Sequence, residues 1–482
     1  MAHVLVIGGG NAGFCAAQAA VRAGASAMIL EKAPEGAAGG NSFYTAGAFR
    51  VVHGGRDAVM DVIDDEVTRA RARVTTLDPY PPEAFREDME RLTEGRCDPG
   101  LTSILIEDSE PVVRWLADIG VRWRLMYERQ AYERDGRFVF WGGLALGTVD
   151  GGKGLIAQHT AAARAAGIEV RYGTAVAELV PGGVRLADES ELEADAVVLA
   201  AGGFEANAEL RERHLGEGWG RALVRGNPLN TGEVLLAAID AGAARFGDWS
   251  SCHSVAWDAE ADEGGGDREL TNQYTRSGYP LGVMVNRDGR RFVDEGADFR
   301  NYTYARYGRE ILAQPGGVAF QLFDAKLRPL LRAEENDSAR VTGAQAGTLA
   351  ELAAELGIDA AQLAATIAEF NAAIRDDVPF DAAVKDGRAA DGISPPKSHW
   401  AQALDTAPYY GFAVTCGVTF TFGGLHIDEH ARVLDDGGAP IPGLYAAGEL
   451  VGGLFHGNYP GGTGLTAGAV FGRRAGTHAA GA

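Results

Sequence analysis

Residues 3–32 read HVLVIGGGNAGFCAAQAAVRAGASAMILEK, and this stretch decides the fold that we predict. It opens with a short apolar run that is typical of a buried parallel strand. The motif Gly8-x-Gly10-x-x-Gly13 follows at once, then an alanine-rich helical segment and a second apolar run that ends at Glu31. A strand, a tight glycine turn, a helix and a second strand in this order indicate a unit that binds a dinucleotide.

Each part of this unit has a physical task. Gly8 permits the tight turn, Gly10 lets the backbone approach a pyrophosphate, and Gly13 lets the helix pack closely on the strand. The helix N-terminus presents free N–H groups and a positive partial charge to phosphates. Glu31 can accept hydrogen bonds from ribose hydroxyls. A glycine-rich turn that binds no ligand is the alternative interpretation.

Two distant segments favour FAD over NAD as the dinucleotide. Residues 195–203, DAVVLAAGG, and residues 442–449, PGLYAAGE, are both typical of an apolar strand that ends in a turn of small residues. An enzyme with two dinucleotides would carry a second glycine motif near mid-chain, and the sequence contains none. We therefore expect one FAD in a single discontinuous domain.

Composition excludes several classes of protein. A net charge of −22 argues against nucleic acid or anionic membrane partners. The four cysteines are dispersed without metal-binding spacing, so we predict no metal site and a reducing compartment. The first strand begins at His3, and no apolar run reaches the length of a membrane span. We expect a cytoplasmic protein with no transmembrane segment.

The predicted fold class is α/β, with a discontinuous Rossmann-like FAD-binding domain and an α+β capping domain. A chain of 482 residues can bury more than one core. We assign residues 1–248 and 421–482 to the FAD-binding domain and residues 249–420 to the capping domain. Within the latter, residues 281–295 predict a hairpin and residues 346–374 a pair of helices.

Five further segments carry a family resemblance that spans residues 3–475. They are GGNS (39–42), RGNPLNTG (225–232), NRDGRRFVDEGADFRNYTYARYGR (286–309), GVTFTFGG (417–424) and NYPGGTGLTAGAVFGRRAG (458–476). In this order they resemble the flavoprotein superfamily of fumarate reductases, succinate dehydrogenases and 3-ketosteroid dehydrogenases, and within it the FAD-dependent tricarballylate dehydrogenases. The resemblance implies a mobile capping domain and the transfer of two hydrogens across a C–C bond next to a carboxylate or carbonyl.

The same resemblance implies which residues bind the cofactor. Tyr44 stands where membrane succinate dehydrogenases attach FAD to a histidine, so we expect non-covalent FAD. Val176 is expected at the adenine, Glu449 at the ribityl chain, and Gly464 and Leu465 at flavin O2. The full set of predicted FAD-binding residues is Gly8, Gly10, Asn11, Ala12, Gly13, Glu31, Lys32, Gly39, Gly40, Asn41, Ser42, Thr45, Ala46, Gly47, Val176, Ala201, Gly202, Gly203, Glu449, Gly464, Leu465 and Thr466.

At the substrate end the chain departs from the fumarate reductases. Their substrate-binding histidine and arginine are replaced around Thr419, Phe420 and Tyr459. Tyr459-Pro460-Gly461 is instead similar to the motif of the ketosteroid enzymes that hydrogen-bonds a substrate carbonyl. Arg300 falls one residue later than an ungapped match to the proton-delivering arginine of the fumarate reductases.

The reaction needs a group that moves a proton and cations that stabilise enolate-like charge. Arg300 is the favoured proton carrier, with Tyr302 and Tyr304 as alternatives, and a structural ion pair of Arg300 with Asp294 or Glu295 also stays open. The remaining candidate site residues are the cations Arg225 and Arg276, and the polar side chains His253, His456 and Tyr459.

We therefore predict an FAD-dependent dehydrogenase of a small polycarboxylate, tricarballylate-like. A ketone dehydrogenase, an ene-reductase that runs the reaction in reverse, and a flavin-binding protein without turnover are the alternatives. The sequence contains no motif for NAD, haem or an iron–sulfur cluster. An oxidation would therefore pass its electrons to a separate acceptor protein, a quinone or oxygen.

Overall fold

The β-α-β unit predicted for residues 3–32 forms in the structure, a computed structural model that describes residues 2–338, 340 and 342–481. Met1, Ala339, Val341 and Ala482 belong to the predicted domain ranges but lie outside the described residues. The strands are β1 (His3–Ile7), β2 (Ser26–Glu31), β3 (Ala48–Phe49), β4 (Thr75–Thr76), β5 (Trp123–Leu125), β6 (Ala131–Arg134), β7 (Arg137–Phe140), β8 (Leu146–Thr148), β9 (Glu169–Tyr172), β10 (Val176–Val180), β11 (Gly183–Leu186), β12 (Glu191–Glu193), β13 (Ala196–Leu199), β14 (Leu223–Val224), β15 (Arg245–Asp258), β16 (Val283–Asn286), β17 (Ala319–Phe323), β18 (Ala344–Ala346), β19 (Tyr409–Leu425), β20 (Arg432–Leu434) and β21 (Pro440–Ala446). The helices are α1 (Asn11–Arg22), α2 (Gly40–Phe43), α3 (Arg56–Val59), α4 (Glu66–Arg71), α5 (Pro82–Leu92), α6 (Pro99–Asp118), α7 (Tyr127–Gln130), α8 (Gly151–Ala165), α9 (Ala208–Leu215), α10 (Glu233–Asp240), α11 (Arg300–Leu312), α12 (Ala333–Asn336), α13 (Leu349–Leu356), α14 (Ala360–Ala372) and α15 (Thr463–Ala479).

One six-stranded sheet joins the two ends of the chain. Its order is β20-β21-β13-β1-β2-β9, and all strands from β21 to β9 run parallel. β1 lies inside this sheet and is almost wholly buried, which explains its unbroken apolar run. Ligands of such sheets bind at the carboxyl ends of the strands, so this sheet determines where a cofactor can lie.

Glycines bring the first and last long helices into close contact. A Cβ atom on Gly472 or Gly476 of α15 would overlap the carbonyl oxygen of Ala12 or Ala16 in α1. The absence of side chains at these two positions lets the helix backbones approach each other directly. The carboxyl end of the chain thereby supports the helix that follows the glycine motif.

A second sheet is built around two long antiparallel strands, β15 and β19. β19 also pairs with β14, β17 and β18, and β17 pairs with β16. The predicted domain boundaries after residues 248 and 420 both fall inside these two strands. The division into ranges 1–248, 249–420 and 421–482 therefore stays a proposal.

The remaining predictions for the second sheet have mixed outcomes. The helical pair in residues 346–374 is confirmed as α13 and α14, separated by a turn at Gly357. The hairpin in residues 281–295 is confirmed only at its turn: Asn286 and Arg290 are hydrogen-bonded and Val285 forms an antiparallel bridge with Arg291, but no second strand follows, and β16 pairs with β17 instead. Arg291 instead forms a buried ion pair with Glu295 at 2.6 Å.

The described part of the chain contains neither a membrane-spanning helix nor a metal-binding cluster. No helix there combines the length and the apolar character of a membrane span. Over the same residues, no group of three or more His, Cys, Asp and Glu side chains is arranged to hold a metal ion.

Candidate functional site

A cavity of about 570 Å³ lies at the carboxyl ends of β1, β13 and β21. It extends from the glycine motif to side chains of the second sheet and of α11. The structure brings most of the predicted cofactor residues to its wall. The predicted cofactor residues that do not line the cavity are Gly13, Gly39, Gly47, Gly203 and Thr466.

These five residues lie behind the wall and support it. A Cβ atom on Gly13 would overlap the Gly8 carbonyl, and one on Gly203 would overlap the Glu449 carboxylate. Gly39 and Gly47 have positive φ angles of 112° and 69°, which glycine adopts without strain. Thr466 donates its hydroxyl hydrogen to the Arg50 carbonyl at 2.9 Å. Their small size or hydrogen bonding shapes the cavity from outside.

The glycine motif leaves the start of α1 open to the cavity. Gly10 is the N-cap of α1 and brings no side chain to cap it. A Cβ atom added to Gly10 would come no closer than 3.5 Å to Ser42 Oγ, so this face is open rather than packed. An anionic group can therefore approach the helix N-terminus directly.

Glu31 and Lys32 lie at the far end of the same cavity. The Glu31 carboxylate accepts hydrogen bonds from the Gly9 and Ala33 amides at 2.7 and 2.8 Å. Lys32 donates to Thr231 Oγ1 at 2.9 Å and pairs with Glu233 at 3.1 Å. These bonds fix both side chains at the cavity wall.

Three polar side chains meet at the opposite end. The Tyr304 and Tyr459 hydroxyls are 2.8 Å apart, and the Tyr459 hydroxyl is 3.3 Å from His253 Nδ1. Burial raises the pKa of both phenols, and burial beside Arg225 lowers the pKa of His253 well below its usual value. Among the described residues, His253 Nε2 has no hydrogen-bond partner. A neutral imidazole thus stands next to two neutral phenols.

Arg225 brings a positive charge to this end of the cavity. Its guanidinium donates to Thr419 Oγ1 at 2.6 Å and to Thr275 Oγ1 at 3.2 Å, and it lies over the Trp257 ring. No carboxylate of the described residues forms an ion pair with it. Burial lowers the pKa of Arg225, because the charged form loses hydration there.

Two further arginines line the cavity. Arg300 donates to Ser277 Oγ at 3.2 Å and to the Arg129 carbonyl, and it stacks on Trp141. Among the described residues, Arg300 forms no ion pair with Asp294 or Glu295. Ser398 donates to Asp294 instead, and Arg291 pairs with Glu295. Arg129 pairs with Glu334 at 2.6 Å and lies 3.6 Å from Glu335.

Comparison with known families identifies this arrangement. A family model described as an FAD binding domain matches residues 3–465. The chain belongs to the FAD binding domain family.

Similar proteins place this flavoprotein among the fumarate reductases and 3-ketosteroid dehydrogenases. A probable fumarate reductase, Ifc3, of Shewanella frigidimarina is 30% identical over 99% of this chain and 74% of its own length. The 4-oxocyclohexanecarboxylate 2-dehydrogenase of Sinomonas cyclohexanicum is 29% identical over 95% of this chain and 89% of its own. The 3-ketosteroid Δ1-dehydrogenase structure from Sterolibacterium denitrificans covers both chains fully, with 20% identity and a TM-score of 0.73, and supports the fold.

This flavoprotein is an FAD-dependent oxidoreductase that acts on carbon–carbon bonds. The cavity fits FAD, because an open glycine cradle, a helix N-terminus and a carboxylate stand along one wall. Tyr44, which replaces the histidine of covalent flavoproteins, is buried and directs its hydroxyl to the Gly266 carbonyl at 3.4 Å. It does not line the cavity.

Three predicted site residues lie outside the flavoprotein's cavity. Arg276 is buried in an ion pair with Asp258 and donates to main-chain carbonyls. The Tyr302 hydroxyl lies between two acceptors, Asp88 Oδ2 at 2.6 Å and the Gly142 carbonyl oxygen at 2.9 Å.

His456, the third, is partly exposed and contacts Arg96 and Asp248 at 2.9 and 3.1 Å. These three residues lie outside the cavity and most of their polar atoms bind other groups of the protein, so the predicted substrate contacts are not supported.

Charged residues that the sequence missed at the cavity wall are Arg129, Glu233 and Glu335, and Glu205 stands behind the wall. Arg129 reaches the cavity from the short helix α7, in a segment with no family motif. Glu205, in the turn after β13, stands directly behind Glu449. Its position two residues after the Gly202-Gly203 turn was the only signal in the sequence.

Proposed function

We propose that this flavoprotein oxidises a C–C bond next to a carboxylate in a small, tricarballylate-like polycarboxylate. The observation that carries the proposal is the buried Arg225 guanidinium, which faces the cavity without a carboxylate partner among the described residues. A buried, unpaired ion costs several kcal/mol, and an anionic substrate group offsets that cost. Arg300 lines the same end, forms no ion pair with a carboxylate of the described residues, and offers a site for a second carboxylate.

The residues that line the cavity support an assignment of each part of FAD to a part of the wall. We assign the pyrophosphate to the glycine motif and the start of α1, and the ribose to Glu31. We assign the ribityl chain to Glu449, and flavin O2 to the amides of Gly464 and Leu465. When bound, FAD supplies the hydride-transfer chemistry of its isoalloxazine ring. Tyr44 supports non-covalent attachment, since its hydroxyl faces away from the cavity.

The proton on the neighbouring carbon goes to Tyr304. The distances support a relay in which Tyr304 passes its own proton to Tyr459, and Tyr459 passes its proton to His253 Nδ1. His253 has a free lone pair because burial beside Arg225 keeps the imidazole neutral before the reaction, and a substrate carboxylate held by Arg225 would offset the charge of the imidazolium that forms. Arg300 then acts as a donor that positions a carboxylate, since a guanidinium is protonated far above neutral pH and makes a poor base.

A second candidate substrate is a ketone that also carries a carboxylate. The paired Tyr304 and Tyr459 hydroxyls favour it, because they offer hydrogen-bond donors to a carbonyl that becomes enolate-like. The similar enzyme of Sinomonas cyclohexanicum acts on such a molecule, 4-oxocyclohexanecarboxylate. Arg225 would then hold the carboxylate and the tyrosines the ketone.

Anaerobic flavin reduction distinguishes these candidates. The purified holoenzyme is mixed separately with tricarballylate, with 4-oxocyclohexanecarboxylate and with a 3-ketosteroid, and the oxidised-flavin absorbance is followed. Loss of absorbance with tricarballylate alone supports the polycarboxylate, and loss with the keto acid alone supports the second candidate. Reoxidation of the chemically reduced enzyme only by an unsaturated acid would make it an ene-reductase. Loss of absorbance with the 3-ketosteroid alone, or no response in either direction, contradicts both candidate substrates.

The electrons of an oxidation must pass to an acceptor. We propose a separate acceptor protein or a quinone, and the cytoplasmic location stays a prediction. Stopped-flow reoxidation of the reduced enzyme by a soluble quinone and by oxygen compares two such acceptors. A rate with oxygen that matches the steady-state turnover would remove the need for a partner.

A further inference from the structure

A partly buried carboxyl group at the cavity wall, that of Glu449, stands beside a fully buried one, that of Glu205. Glu449 follows β21, lines the cavity and accepts a hydrogen bond from the Thr421 amide at 2.8 Å. Glu205 lies directly behind it, with none of its surface exposed. Glu205 is outside the cavity lining, so a cofactor would contact Glu449 and not Glu205.

The hydrogen bonds of Glu205 are asymmetric. Its Oε1 accepts from the side-chain amides of Asn41 and Asn230 at 2.5 and 2.6 Å. Its Oε2 is buried and has no donor among the described residues. Glu449 Oε1, in contrast, accepts from the Thr421 amide and hydroxyl. A proton on Glu205 Oε2 would supply the missing bond by donating to Glu449.

The charges around the pair do not favour two ionised carboxylates. Arg211 donates to four main-chain carbonyls, those of Glu205, Trp219, Gly220 and Ala222, and forms no ion pair with either carboxylate of the pair among the described contacts. The Cys252 thiol is the other titratable group nearby. Burial, together with the neighbouring Glu449 carboxylate, raises the pKa of Glu205 well above its usual value. Two like charges this close cannot both ionise without a large cost.

We propose that Glu205 is a positioning residue for the cofactor: it carries a proton at neutral pH and donates it through Oε2 to the Glu449 carboxylate at the cavity wall. The bond fixes Glu449 in the orientation that the cofactor meets. Asn41 extends the same network, since its Nδ2 also donates to the Thr419 carbonyl, and the Thr419 hydroxyl binds Arg225. The pair therefore joins the cofactor end of the cavity to the substrate end.

Cofactor binding is coupled to this proton. When FAD fills the cavity it displaces water from Glu449, and the loss of hydration favours the protonated pair further. The complex then holds a proton, taken from solvent, that the free protein loses at lower pH. FAD affinity consequently falls as the pH rises above neutrality, by up to about tenfold per pH unit for a single coupled proton.

Glu205→Gln is the decisive variant because it copies the protonated side chain. Its oxygen still accepts from Asn41 and Asn230, and its amide N–H replaces the proton given to Glu449. We expect the holoenzyme of E205Q to keep its FAD as the pH rises, whereas the wild type releases it. E205L removes this acceptor from both asparagines, leaving Asn41 with only the Thr419 carbonyl among the described residues, and should lose FAD at every pH.

Infrared spectra of the holoenzyme test the proton itself. We expect a carboxylic acid C=O band at neutral pH that disappears in alkali and is missing in E205Q. Glu295→Gln is the matched control, since Glu295 is also buried but is ion-paired with Arg291, and it should keep the band. A wild type without the band, or an E205Q protein with the same pH-dependent FAD release, overturns the proposal. Neither measurement uses a substrate, so the result is independent of the proposed reaction.

Discussion

Arg225 and Arg276 are both buried arginines, yet the structure gives them different tasks. Arg276 is neutralised by Asp258, and its Nη1 group donates to the main-chain carbonyls of Gln273 and Glu335. Among the described residues, the Arg225 guanidinium meets threonine hydroxyls and the face of Trp257 and no carboxylate. An arginine whose charge is compensated within the protein stabilises the fold, whereas one whose charge is left open can recognise an anion.

Replacing Arg225 tests that distinction. In R225Q we expect kcat/KM for the carboxylate substrate to fall about a hundredfold, because breaking a buried charge pair costs about 3 kcal/mol. The ligand-free variant should unfold at a higher temperature than the wild type, since an unpaired buried charge is removed. Steady-state kinetics and thermal unfolding measure both effects.

Arg221→Gln is the control for this experiment. Arg221 donates to the Leu312 carbonyl and does not line the cavity, so its kinetics should be unchanged. An R225Q protein with normal kinetics, or one that is clearly less stable than the wild type, contradicts the anion-binding role.

The tyrosine relay makes a second prediction at the scale of residues. Tyr459→Phe and Tyr304→Phe each remove a proton carrier, and we expect the rate of flavin reduction to fall between about 10²-fold and 10⁴-fold. Tyr302→Phe is the matched control, because its hydroxyl binds Asp88 outside the cavity. Rapid-mixing kinetics give these rates directly. A larger loss in Y302F than in Y304F would return Tyr302 to the reaction.

At the scale of elements, the contact of α1 with α15 holds the cofactor site together. The glycines of α15 lie against the carbonyls of α1, whose N-terminus faces the cavity. Displacement of α15 would therefore move both the start of α1 and the residues Gly464 and Leu465 at the cavity wall. Stability and cofactor binding are coupled through this helix pair.

Gly476→Ala measures that coupling. The added methyl group overlaps the Ala16 carbonyl, so we expect a loss of about 1–3 kcal/mol in the free energy of unfolding and weaker FAD retention. Gly36→Ala is the control, since nothing lies within 4 Å of its Cβ position, and it should change stability by less than about 0.5 kcal/mol. Denaturant unfolding of both variants decides, and equal stabilities would refute the tight contact.

At the scale of the whole molecule, buried neutral histidines make stability depend on pH. Burial lowers the pKa of His53 to about 4, that of His159 to about 3, and that of His253 well below its usual value. The unfolded chain therefore binds more protons than the native protein once the pH falls below about 6.5. These histidines stabilise the fold above that pH and lose the contribution as the pH falls further. Glu205 acts in the opposite direction, because its pKa is raised.

His159→Gln isolates one of these contributions. His159 is stacked on Phe14, and its Nε2 is 3.0 Å from Asn11 Oδ1, a contact that the glutamine amide can replace. Between about pH 6 and pH 4 the free energy of unfolding of the wild type should fall more steeply than that of H159Q, by about 1.4 kcal/mol per pH unit. Urea titrations at several pH values provide the slopes, and parallel slopes would show that His159 titrates normally.

The sequence predicted the local parts of this molecule better than the distant contacts. Periodicity and a glycine motif act over thirty residues or fewer, and the unit at residues 3–32 follows from them. Arg129 and Glu205 reach the cavity through turns and short elements without a motif, so no pattern marked them. Arg276 and Tyr302 stood in motif segments, but their final partners, Asp258 and Asp88, are set by tertiary packing. Tertiary packing also explains why the predicted hairpin is reduced to its turn, since β16 pairs with the distant strand β17.

The position of α15 also determines when the cofactor site can be completed during synthesis of the chain. The strand and glycine turn of the nucleotide site leave the ribosome well before the helix that braces them. A nascent chain therefore cannot retain its flavin until α15 has emerged. Stalled chains that lack residues 463–479 should be colourless, and chains that include them yellow.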